Sequence, residues 1–227
     1  MALSIIPKHI AIIPDGNRRW AKQHNKLSAQ GHAMGYKRIQ DCITYARKEG
    51  ISIVTVWAFS TENWKRKQDE IGELMTIISK GLSKIHKDAK KEKTRVIHIG
   101  RRDRLGKKLL KLIETVEEET KHYQTFTLCL AIDYGGEDEI KRAEIKLSES
   151  KDNKKSILDF LDTTTHKLSN PDLIIRTGGE HRTSGFMPLQ SAYSEWVFEE
   201  KLFPDFDIDT LSKAIDIYTK RSRRFGR

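Results

Sequence analysis

The sequence predicts an α/β fold, a single domain in which helices flank a mostly parallel central sheet of about six strands. Short apolar runs rich in Ile and Val alternate with longer stretches of helical period, which is typical of βαβ units. The chain has 227 residues, enough to bury a core of its own, and it contains no internal repeat and no linker rich in Gly, Pro or Ser. Residues 1–227 are therefore expected to form one domain.

The predicted elements begin with one complete βαβ unit. His9–Ile13 is a short apolar run and predicts the first strand. Ala33–Lys48 carries apolar residues on one helical face and stops at Gly50, which favours a helix end. Ser52–Phe59 predicts the second strand.

The middle of the chain predicts two more helices and two more strands. Apolar residues recur at helical spacing over Asp69–Lys91, which is the clearest amphipathic helix of the sequence. Arg95–Ile99 and Phe126–Ile132 predict strands, with a helix between them. The buried side of that helix is predicted to carry Leu105, Leu109, Leu112, Ile113 and Val116.

The last third of the chain predicts two short strands and a final helix. Leu173–Arg176 and Trp196–Phe198 are the strands. The polar stretch Ser148–Lys155 predicts a mobile surface loop. The final helix is marked by Leu211, Ala214, Ile215 and Tyr218.

The charge of the chain predicts anionic partners. The sequence holds 42 Lys and Arg against 32 Asp and Glu, a formal net charge of +10. Such a balance suits nucleic acid, acidic lipid surfaces or small phosphorylated substrates. Net charge alone leaves all three classes open.

Cysteine usage and hydropathy predict a reduced cytoplasmic protein without structural zinc. Cys42 and Cys129 lie in apolar surroundings, with no CxxC or Cys/His spacing. The longest uncharged apolar run, Ile51–Ser60, is about half the length of a membrane span. Lys8 and Asp15 interrupt the apolar N-terminal stretch, which argues against a secretory signal. Any contact with a membrane is expected from its cytoplasmic side.

Three of the predicted strand ends share an unusual composition. Pro14–Trp20 follows the first strand with a carboxylate, a glycine, an amide and two guanidinium groups; Ser60–Arg66 follows the second strand, and Arg176–Ser184 ends a later one. In an open parallel sheet, ligands bind at the carboxyl ends of the strands. Arginine forks bind phosphate oxygens, and a carboxylate beside phosphates favours Mg²⁺. An arginine pair or a Gly-Gly turn alone is usually structural, but together these ends predict a site for more than one phosphate group.

Familiar phosphate and metal motifs are absent from the sequence. There is no GxxxxGKS/T loop, no GxGxxG after a strand and no DDxxD motif. Asp205, Asp207 and Asp209 resemble the start of a calcium loop, but Thr210 stands where that loop needs glycine, so they predict the polar start of the last helix. No HExxH pair occurs, and no catalytic role is predicted for His24, His86, His98, His122 and His166.

Four longer segments occur in order along the chain, and together they resemble one family. They are HIAIIPDGNRRWA, GHAMGY, WAFSTENWKR and DLIIRTGGEHRTSGFMPLQSAYSEWVF, and the similarity extends from His9 to Gly226. The segments resemble the cis-prenyltransferases of the undecaprenyl diphosphate synthase type. The resemblance implies repeated condensation of isopentenyl diphosphate onto an allylic diphosphate such as farnesyl diphosphate, with cis double bonds. The implied product is a long-chain polyprenyl diphosphate such as undecaprenyl diphosphate, a cell-wall lipid carrier.

The resemblance also implies a role for individual residues. Asp15 would be the catalytic carboxylate at Mg²⁺ and the diphosphate leaving group, and Asn63 would help to remove the proton. His181 and Glu195 match residues associated with the metal. The residues implied for substrate binding are Gly16, Asn17, Arg18, Arg19, Trp20 and His32 for the allylic diphosphate, Ser60, Thr61, Glu62, Trp64 and Arg66 in a mobile segment that closes over the reacting ends, and Arg176, Arg182, Thr183 and Ser184 for isopentenyl diphosphate.

A tunnel and a dimer follow from the same resemblance. The growing hydrocarbon needs an apolar tunnel between sheet and helices, which the Asp69–Lys91 helix and the strand Ser52–Phe59 would line beside the small Ala58. The bulky Phe126 would limit product length at the floor. The family is a homodimer, and Arg224–Gly226 resembles its RxG ending.

Two other functions are weighed against the enzyme. A basic nucleic-acid binder lacks interleaved aromatic residues and a recognised module, so its basic cluster is more simply a solvated helix face. A catalytically silent scaffold subunit of a heteromeric prenyltransferase is disfavoured by the presence of Asp15 and Asn63. The basic cluster consists of Arg101, Arg102, Arg104, Lys107, Lys108 and Lys111.

Overall fold

Six parallel strands form one sheet in the computed structural model, which describes residues 6–221 of the chain. In sheet order the strands run β3-β4-β2-β1-β5-β6, and each of the five neighbouring pairs is parallel. This confirms the predicted fold class. The strands are β1 His9–Ile13, β2 Ile53–Ser60, β3 Thr94–Ile99, β4 Phe126–Tyr134, β5 Leu173–Arg176 and β6 Glu195–Phe198.

Burial on both faces explains why these strands read as continuous apolar runs. Every residue of β1, β4 and β5 is buried, as expected for a parallel sheet covered on two sides. The predicted strands agree with the observed ones within two residues at each end. Cys42 and Cys129 are buried free thiols, and burial raises the pKa of each to about 12.

Four of the helices cover one face of the sheet. The helices are α1 Asn17–Gln23, α2 Ser28–Lys48, α3 Gln68–Lys91, α4 Lys107–Thr120, α5 Gly136–Glu149, α6 Asp162–Thr165 and α7 Ile208–Lys220. Buried side chains of α2, α3, α4 and α7 pack on one face, whereas Leu168, Phe186 and Met187 pack on the other. None of the helices between residues 6 and 221 is long and apolar enough to span a membrane.

Four helices differ from the sequence-based expectation. α2 begins at Ser28 rather than Ala33, because the side chain of Gln30 accepts the backbone N–H of Leu27 and satisfies the helix start. α1, α5 and α6 were not predicted at all. The expected polar start of the last helix is confirmed, since the Asp207 side chain accepts the backbone N–H of Thr210 at 2.9 Å.

Two buried histidines make the fold sensitive to acid. His9 lies between the carbonyl of Ser169 and the hydroxyl of Thr55, both at 2.7 Å, and His98 contacts the carbonyl of Ile132 at 2.9 Å. Burial lowers the pKa of both rings from 6.5 to about 4. Between these values the unfolded chain binds more protons than the folded chain, so stability falls as pH falls.

We therefore expect the free energy of unfolding to drop between pH 7.5 and pH 5. At pH 5 each ring contributes a loss of about 2 kcal/mol, because the unfolded imidazole is charged and the folded one is neutral. Urea unfolding at pH 7.5, 6 and 5 measures this loss. An unfolding free energy that stays constant over this interval would contradict the prediction.

Candidate active site

The three polar segments predicted to form a site lie on adjacent strands. β2, β1 and β5 are neighbours in the sheet, so Pro14–Trp20, Ser60–Arg66 and Arg176–Ser184 meet at one edge. The carboxyl ends of all three strands point to this edge. The sheet thus brings together residues that are up to 170 positions apart in the sequence.

The centre of the edge is an ion pair between Asp15 and Arg176. The Nη2 of Arg176 donates to Oδ2 of Asp15 at 2.9 Å. Its Nη1 donates to the hydroxyl of Ser184 at 2.7 Å and to the carbonyl of Arg182 at 2.5 Å. The Arg176 side chain is 5% exposed and that of Asp15 is 32% exposed, so the guanidinium is fixed and the carboxylate faces the opening.

A second arginine and two glycines complete the surroundings of Asp15. The Nη2 of Arg19 donates to Oδ1 of Asp15 at 3.3 Å, and Arg19 also lies 3.7 Å from Glu180. Gly16 has φ +108°, and Gly178 has φ +86°. The positive φ of Gly178 disfavours other residues, and a Cβ atom there would also lie 3.2 Å from the backbone carbonyl of Asp15 and 2.5 Å from Nη2 of Arg19.

A cleft of about 600 Å³ opens beside Asp15. His32 lies at its inner wall, where burial, with the charges of Arg66 and Arg18, lowers its pKa to about 4. The ring is therefore neutral near pH 7. The cleft is lined by Pro14, Asp15, Gly16, Asn17, Arg18, Arg19, Ala21, Lys22, Lys26, Ser28, His32 and Arg66.

A second cleft of about 320 Å³ adjoins the first one. Asp15 and Arg66 line both clefts, so two ligands bound here would meet at these side chains. The second cleft is lined by Ile13, Pro14, Asp15, Trp57, Ser60, Glu62, Asn63, Arg66, Arg176 and Ser184.

Buried polar atoms without a partner concentrate in these clefts. Within residues 6–221, seven buried side-chain nitrogen or oxygen atoms lack a hydrogen bond, and four of them belong to cleft residues. Because an unpaired buried polar group is costly, these atoms are suited to ligand contacts. The four atoms are Oδ1 of Asn17, Oγ of Ser28, Nε2 of His32 and Nε of Arg176.

The segment predicted as a mobile loop forms a short 3₁₀ helix, Thr61–Lys65, joined to α3 by Arg66 and Lys67. The side-chain oxygen of Asn63 accepts the N–H of Ser60 at 3.1 Å, which caps this helix. Burial opposes ionisation of Glu62, but hydrogen bonds from Thr61, its own N–H and Ser60 lower the pKa of its carboxyl. Closure of the segment over a ligand stays a prediction.

An apolar cavity of about 90 Å³ leads away from the first cleft. It begins at Asn17 and His32 and continues between α2 and α3 over β2 and β4. Ala58 of β2 faces it, as predicted from its small side chain, and Ile85 lies deeper in its wall. The other lining residues are Pro14, Gly35, Tyr36, Ile39, Val56, Leu74, Ile77, Ile78, Gly81, Leu82, Leu130 and Ile132.

A further cavity of about 180 Å³ lies beyond Ile85, which lines both cavities. Arg47 lines this deeper cavity and places its guanidinium carbon 4.7 Å from the ring centre of Phe126. Arg47 also donates to Glu92 at 3.1 Å and to Thr94 at 2.7 Å. The wall of this deeper cavity is therefore partly charged, with Arg47 held between Glu92 and the ring of Phe126.

Some of the residues predicted for the site lie outside both clefts. Trp20 is buried, with its indole N–H donating to Asp205 at 2.8 Å and its ring stacked on His24. Arg182 is exposed and pairs with Glu180, while the Thr183 carbonyl accepts the N–H of Phe186. The RxG ending at Arg224–Gly226 lies outside the described residues.

The three residues predicted for the metal do not come together within one chain. His181 contacts Glu200 at 3.2 Å and stacks on Phe198. Glu195 begins β6 and so lies at the amino-terminal ends of the strands, whereas Asp15 lies at their carboxyl ends. The Glu195 carboxylate accepts a hydrogen bond from Nη1 of Arg221 at 2.7 Å. Of the three, Asp15 alone lines a cleft.

Glu70 is a site residue that the sequence analysis missed. It lies in the first turn of α3 and pairs with Arg66 at 2.8 Å and with Arg18 at 3.4 Å. It thus links the first and second polar segments. The readable signal was its place in the first turn of a predicted helix, directly after a basic segment, since acidic side chains are favoured there.

Comparisons with known proteins agree with this geometry. Residues 13–226 match the family model Prenyltransf, described as undecaprenyl diphosphate synthase. The chain is 44% identical over 223 residues to the isoprenyl transferase of Fusobacterium nucleatum, covering 97% of this chain and 96% of that protein. It is 40% identical to the isoprenyl transferase of Aquifex pyrophilus, covering 98% and 96%.

The fold is also similar to a crystal structure of lavandulyl diphosphate synthase from Lavandula x intermedia in complex with dimethylallyl diphosphate. The TM-score is 0.93 at 32% identity, and the match covers 98% of this chain and 99% of that chain.

Proposed function

The chain belongs to the undecaprenyl diphosphate synthase family of cis-prenyltransferases, and from that premise we propose the substrates and the roles of its site residues. It is an isoprenyl transferase. We propose that it condenses isopentenyl diphosphate repeatedly onto an allylic diphosphate, farnesyl diphosphate, with cis double bonds. The proposed product is a long-chain polyprenyl diphosphate such as undecaprenyl diphosphate.

The observation that carries this proposal is the arrangement of three spaces around Asp15. Two adjoining clefts suit two diphosphate substrates. The first cleft continues into an apolar cavity at Asn17 and His32, and neither residue lines the second cleft. A hydrocarbon chain attached to the first diphosphate therefore has a path away from water, whereas the second substrate needs none. This asymmetry is what elongation of an allylic substrate requires.

The first cleft is proposed as the allylic diphosphate site. Gly16 and Asn17 offer backbone and amide contacts, and Arg18 and Arg19 supply positive charge. Because His32 is neutral near pH 7, it can donate or accept a hydrogen bond without adding charge. The net charge of +10 favours the approach of such anions.

The second cleft is proposed as the isopentenyl diphosphate site. Arg176 and Ser184 are already oriented there by their mutual hydrogen bond. Arg182 and Thr183 lie in the same loop, within reach of a ligand that draws the loop inwards. Glu62 and Asn63 line this cleft from the other side, next to the reacting end of the substrate.

The geometry suits an ionisation followed by bond formation and loss of a proton. The allylic carbon–oxygen bond breaks and its electrons leave with the diphosphate, where Arg18 and Arg19 stabilise the charge. The double bond of isopentenyl diphosphate then attacks the allylic carbon and forms the new carbon–carbon bond. The proton lost from C2 of the isopentenyl unit is taken up by the released diphosphate, and a new double bond forms in its place. Asn63 is proposed to orient the removal of this proton.

Mg²⁺ is the proposed cofactor, and the donors at the clefts fit it. Proteins commonly hold Mg²⁺ by one or two carboxylates together with substrate phosphates and waters. Asp15 provides one carboxylate between the clefts, and residues 6–221 contain no group of three or more His, Cys, Asp or Glu side chains suited to a metal. Bound Mg²⁺ would neutralise charge on the leaving diphosphate. We propose Asp15 as its ligand from this chain, because His181 and Glu195 lie elsewhere.

A homodimer is proposed from the family and from exposed apolar side chains. Ile145 of α5 and Leu158 of the neighbouring 3₁₀ helix Ile157–Phe160 are 57% and 53% exposed. Large contiguous apolar patches on a surface mark interfaces, and we propose that these two side chains belong to one. We expect light scattering to give the mass of two chains, and the double variant Ile145→Glu with Leu158→Glu to give one. A wild-type mass of a single chain would contradict this proposal.

The proposed location is the cytoplasm, with contact at the inner face of the membrane. Its substrates carry charged diphosphates and suit an aqueous compartment, while a long polyprenyl product suits a bilayer.

A condensation assay tests the proposed function. Purified protein is incubated with farnesyl diphosphate, labelled isopentenyl diphosphate and Mg²⁺, and the dephosphorylated lipids are separated by chromatography. We expect a long-chain product that disappears when a chelator is added. Absence of product with farnesyl, geranyl and geranylgeranyl starters would point instead to a silent scaffold subunit.

Ion pairs within the basic cluster argue against the alternative function of nucleic-acid binding. Arg101 contacts Asp103 at 2.6 Å and Asp138 at 3.0 Å, and Arg102 contacts Glu117 at 2.6 Å. These two side chains are paired with carboxylates, whereas Lys107, Lys108 and Lys111 are exposed.

A further inference from the structure

A buried carboxylate outside the clefts joins a loop to the catalytic segment. The loop between β3 and α4 carries three arginines that all pair with carboxylates, but the partner of Arg104 differs from the others. That partner is Asp133, near the end of β4, and it is completely buried. Neither Arg104 nor Asp133 lines either cleft.

Asp133 binds both Arg104 and Trp64. Its Oδ2 accepts Nε of Arg104 at 2.9 Å, and its Oδ1 accepts Nη2 of the same guanidinium. The same Oδ1 also accepts the indole N–H of Trp64 at 2.9 Å. Trp64 belongs to the 3₁₀ helix Thr61–Lys65 and directly follows Asn63.

The Trp64 ring is fixed by further contacts. The guanidinium carbon of Arg104 lies 5.7 Å from the ring centre, within the range of a cation–π contact. The ring of Phe59 packs edge-on against it, with 5.2 Å between ring centres. The indole is therefore held by a hydrogen bond, a cation and a second aromatic ring, all from outside its own helix.

The backbone at Asp133 departs from regular strand geometry. Asp133 has φ +53°, a left-handed conformation that is uncommon outside glycine and that Asp adopts more readily than most residues. The pairing of β4 with β2 skips it, since Phe59 is opposite Ile132 and Ser60 is opposite Tyr134. An irregularity of this kind changes the direction of a side chain on the strand and is common next to active sites.

Stability alone does not account for this arrangement. The Asp133 carboxylate loses its hydration on burial, while Arg104 stays 38% exposed, so their ion pair contributes little net stability compared with well-packed apolar side chains. What the pair does provide is a fixed position for the indole, through bonds of defined direction.

We propose that Asp133 and Arg104 are positioning residues that hold Trp64, and through it Asn63, over the second cleft. The inference rests on the proposed function, in which Asn63 takes part in the condensation. It adds two residues, on β4 and on the loop before α4, that act on the reaction without touching substrate.

Steady-state kinetics of Arg104→Gln test this role, with Arg102→Gln as the matched control. Both arginines lie in the same loop, pair with a carboxylate and have side chains that are 38% and 37% exposed. A small displacement of a catalytic group costs about 10- to 100-fold in rate. We therefore expect Arg104→Gln to lower kcat by about 10-fold or more, with KM for the allylic diphosphate unchanged. Arg102→Gln should keep the wild-type kcat, and an equal loss in both variants would overturn the proposal.

A double-mutant cycle separates positioning from a general structural effect. If Arg104 acts through the indole, its replacement should cost little further kcat in a Trp64→Phe background. Additive losses would contradict the proposal. If Arg104→Gln does not fold, Asp133→Asn replaces it in the same cycle, because it removes the charge at nearly constant shape. Its loss of kcat should likewise be small in a Trp64→Phe background.

Hydrogen exchange gives a readout that needs no activity. We expect the amides of residues 61–65 to exchange faster in Arg104→Gln than in Arg102→Gln and the wild type. Unchanged protection would overturn the positioning role even if the wild type is active. An inactive wild type with this change in exchange would instead refute the proposed function and leave the anchoring of Trp64 standing.

Discussion

Replacing Asp15 by asparagine is expected to lower kcat for condensation by about 10³-fold while leaving the fold intact. The carboxylate lies between the two clefts and faces the opening. An amide of the same shape keeps an acceptor for Arg176 but loses the negative charge that a divalent cation requires. The developing charge on the leaving diphosphate would then be poorly neutralised.

The fold should tolerate this change, because Arg176 keeps its other partners. Its Nη1 still donates to Ser184 and to the carbonyl of Arg182. Asp41→Asn is a matched control, since Asp41 pairs with Arg38 at 3.1 Å and is 38% exposed, but lies away from both clefts. Product formation and thermal unfolding measure the two effects. Full activity of Asp15→Asn would refute the role assigned to Asp15.

The sheet and the location of the site could be predicted from the sequence because both depend on local patterns. Continuous Ile and Val runs mark strands that are buried on both faces, and polar segments directly after such runs must lie at the carboxyl edge. Pro14–Trp20, Ser60–Arg66 and Arg176–Ser184 satisfied this condition, and the order of β2, β1 and β5 brought them together.

The same rule explains why Glu195 lies apart from Asp15. Glu195 precedes the apolar run of β6 rather than following it, and its partner in the sheet register is Leu173, at the start of β5. A residue before a parallel strand lies at the amino edge. The position of Glu195 could therefore have been deduced from the pattern, although its ion pair with Arg221 could not.

Contacts between distant parts of the chain account for the remaining differences. Trp20 lies in a polar segment, yet it is buried because Asp205, 185 residues later, accepts its indole N–H. The arginines of the basic cluster were expected to be solvated, but Arg104 pairs with Asp133, 29 residues away. No local pattern encodes such a partner. α5 was missed because its sequence, GEDEIKRAEIKLSE, is dominated by charge.

The product length should respond to the width of the apolar cavity. Ala58 faces this cavity opposite α3, and the space beside it is only about 90 Å³. Leucine has three more side-chain carbons than alanine. At position 58 these carbons would obstruct the cavity between the first cleft and Ile85. We expect Ala58→Leu to shorten the dominant product by several isoprene units, with little change in the rate of the first condensation.

Chromatography of the dephosphorylated products measures this shift, and Ala131→Val provides the control. Ala131 is buried on the opposite face of the sheet, so extra carbons there cause overpacking without entering the cavity. Overpacking at Ala131 costs about 1–3 kcal/mol, whereas leucine at position 58 extends into an existing cavity. A shorter product in Ala58→Leu, with the wild-type product length in Ala131→Val, therefore isolates the effect of the cavity from a loss of stability measured by thermal unfolding. If Ala58→Leu gives the same product lengths as the wild type, the growing chain lies outside this cavity. In that case Phe126→Ala, which removes the ring beneath Arg47, should also leave the product lengths unchanged.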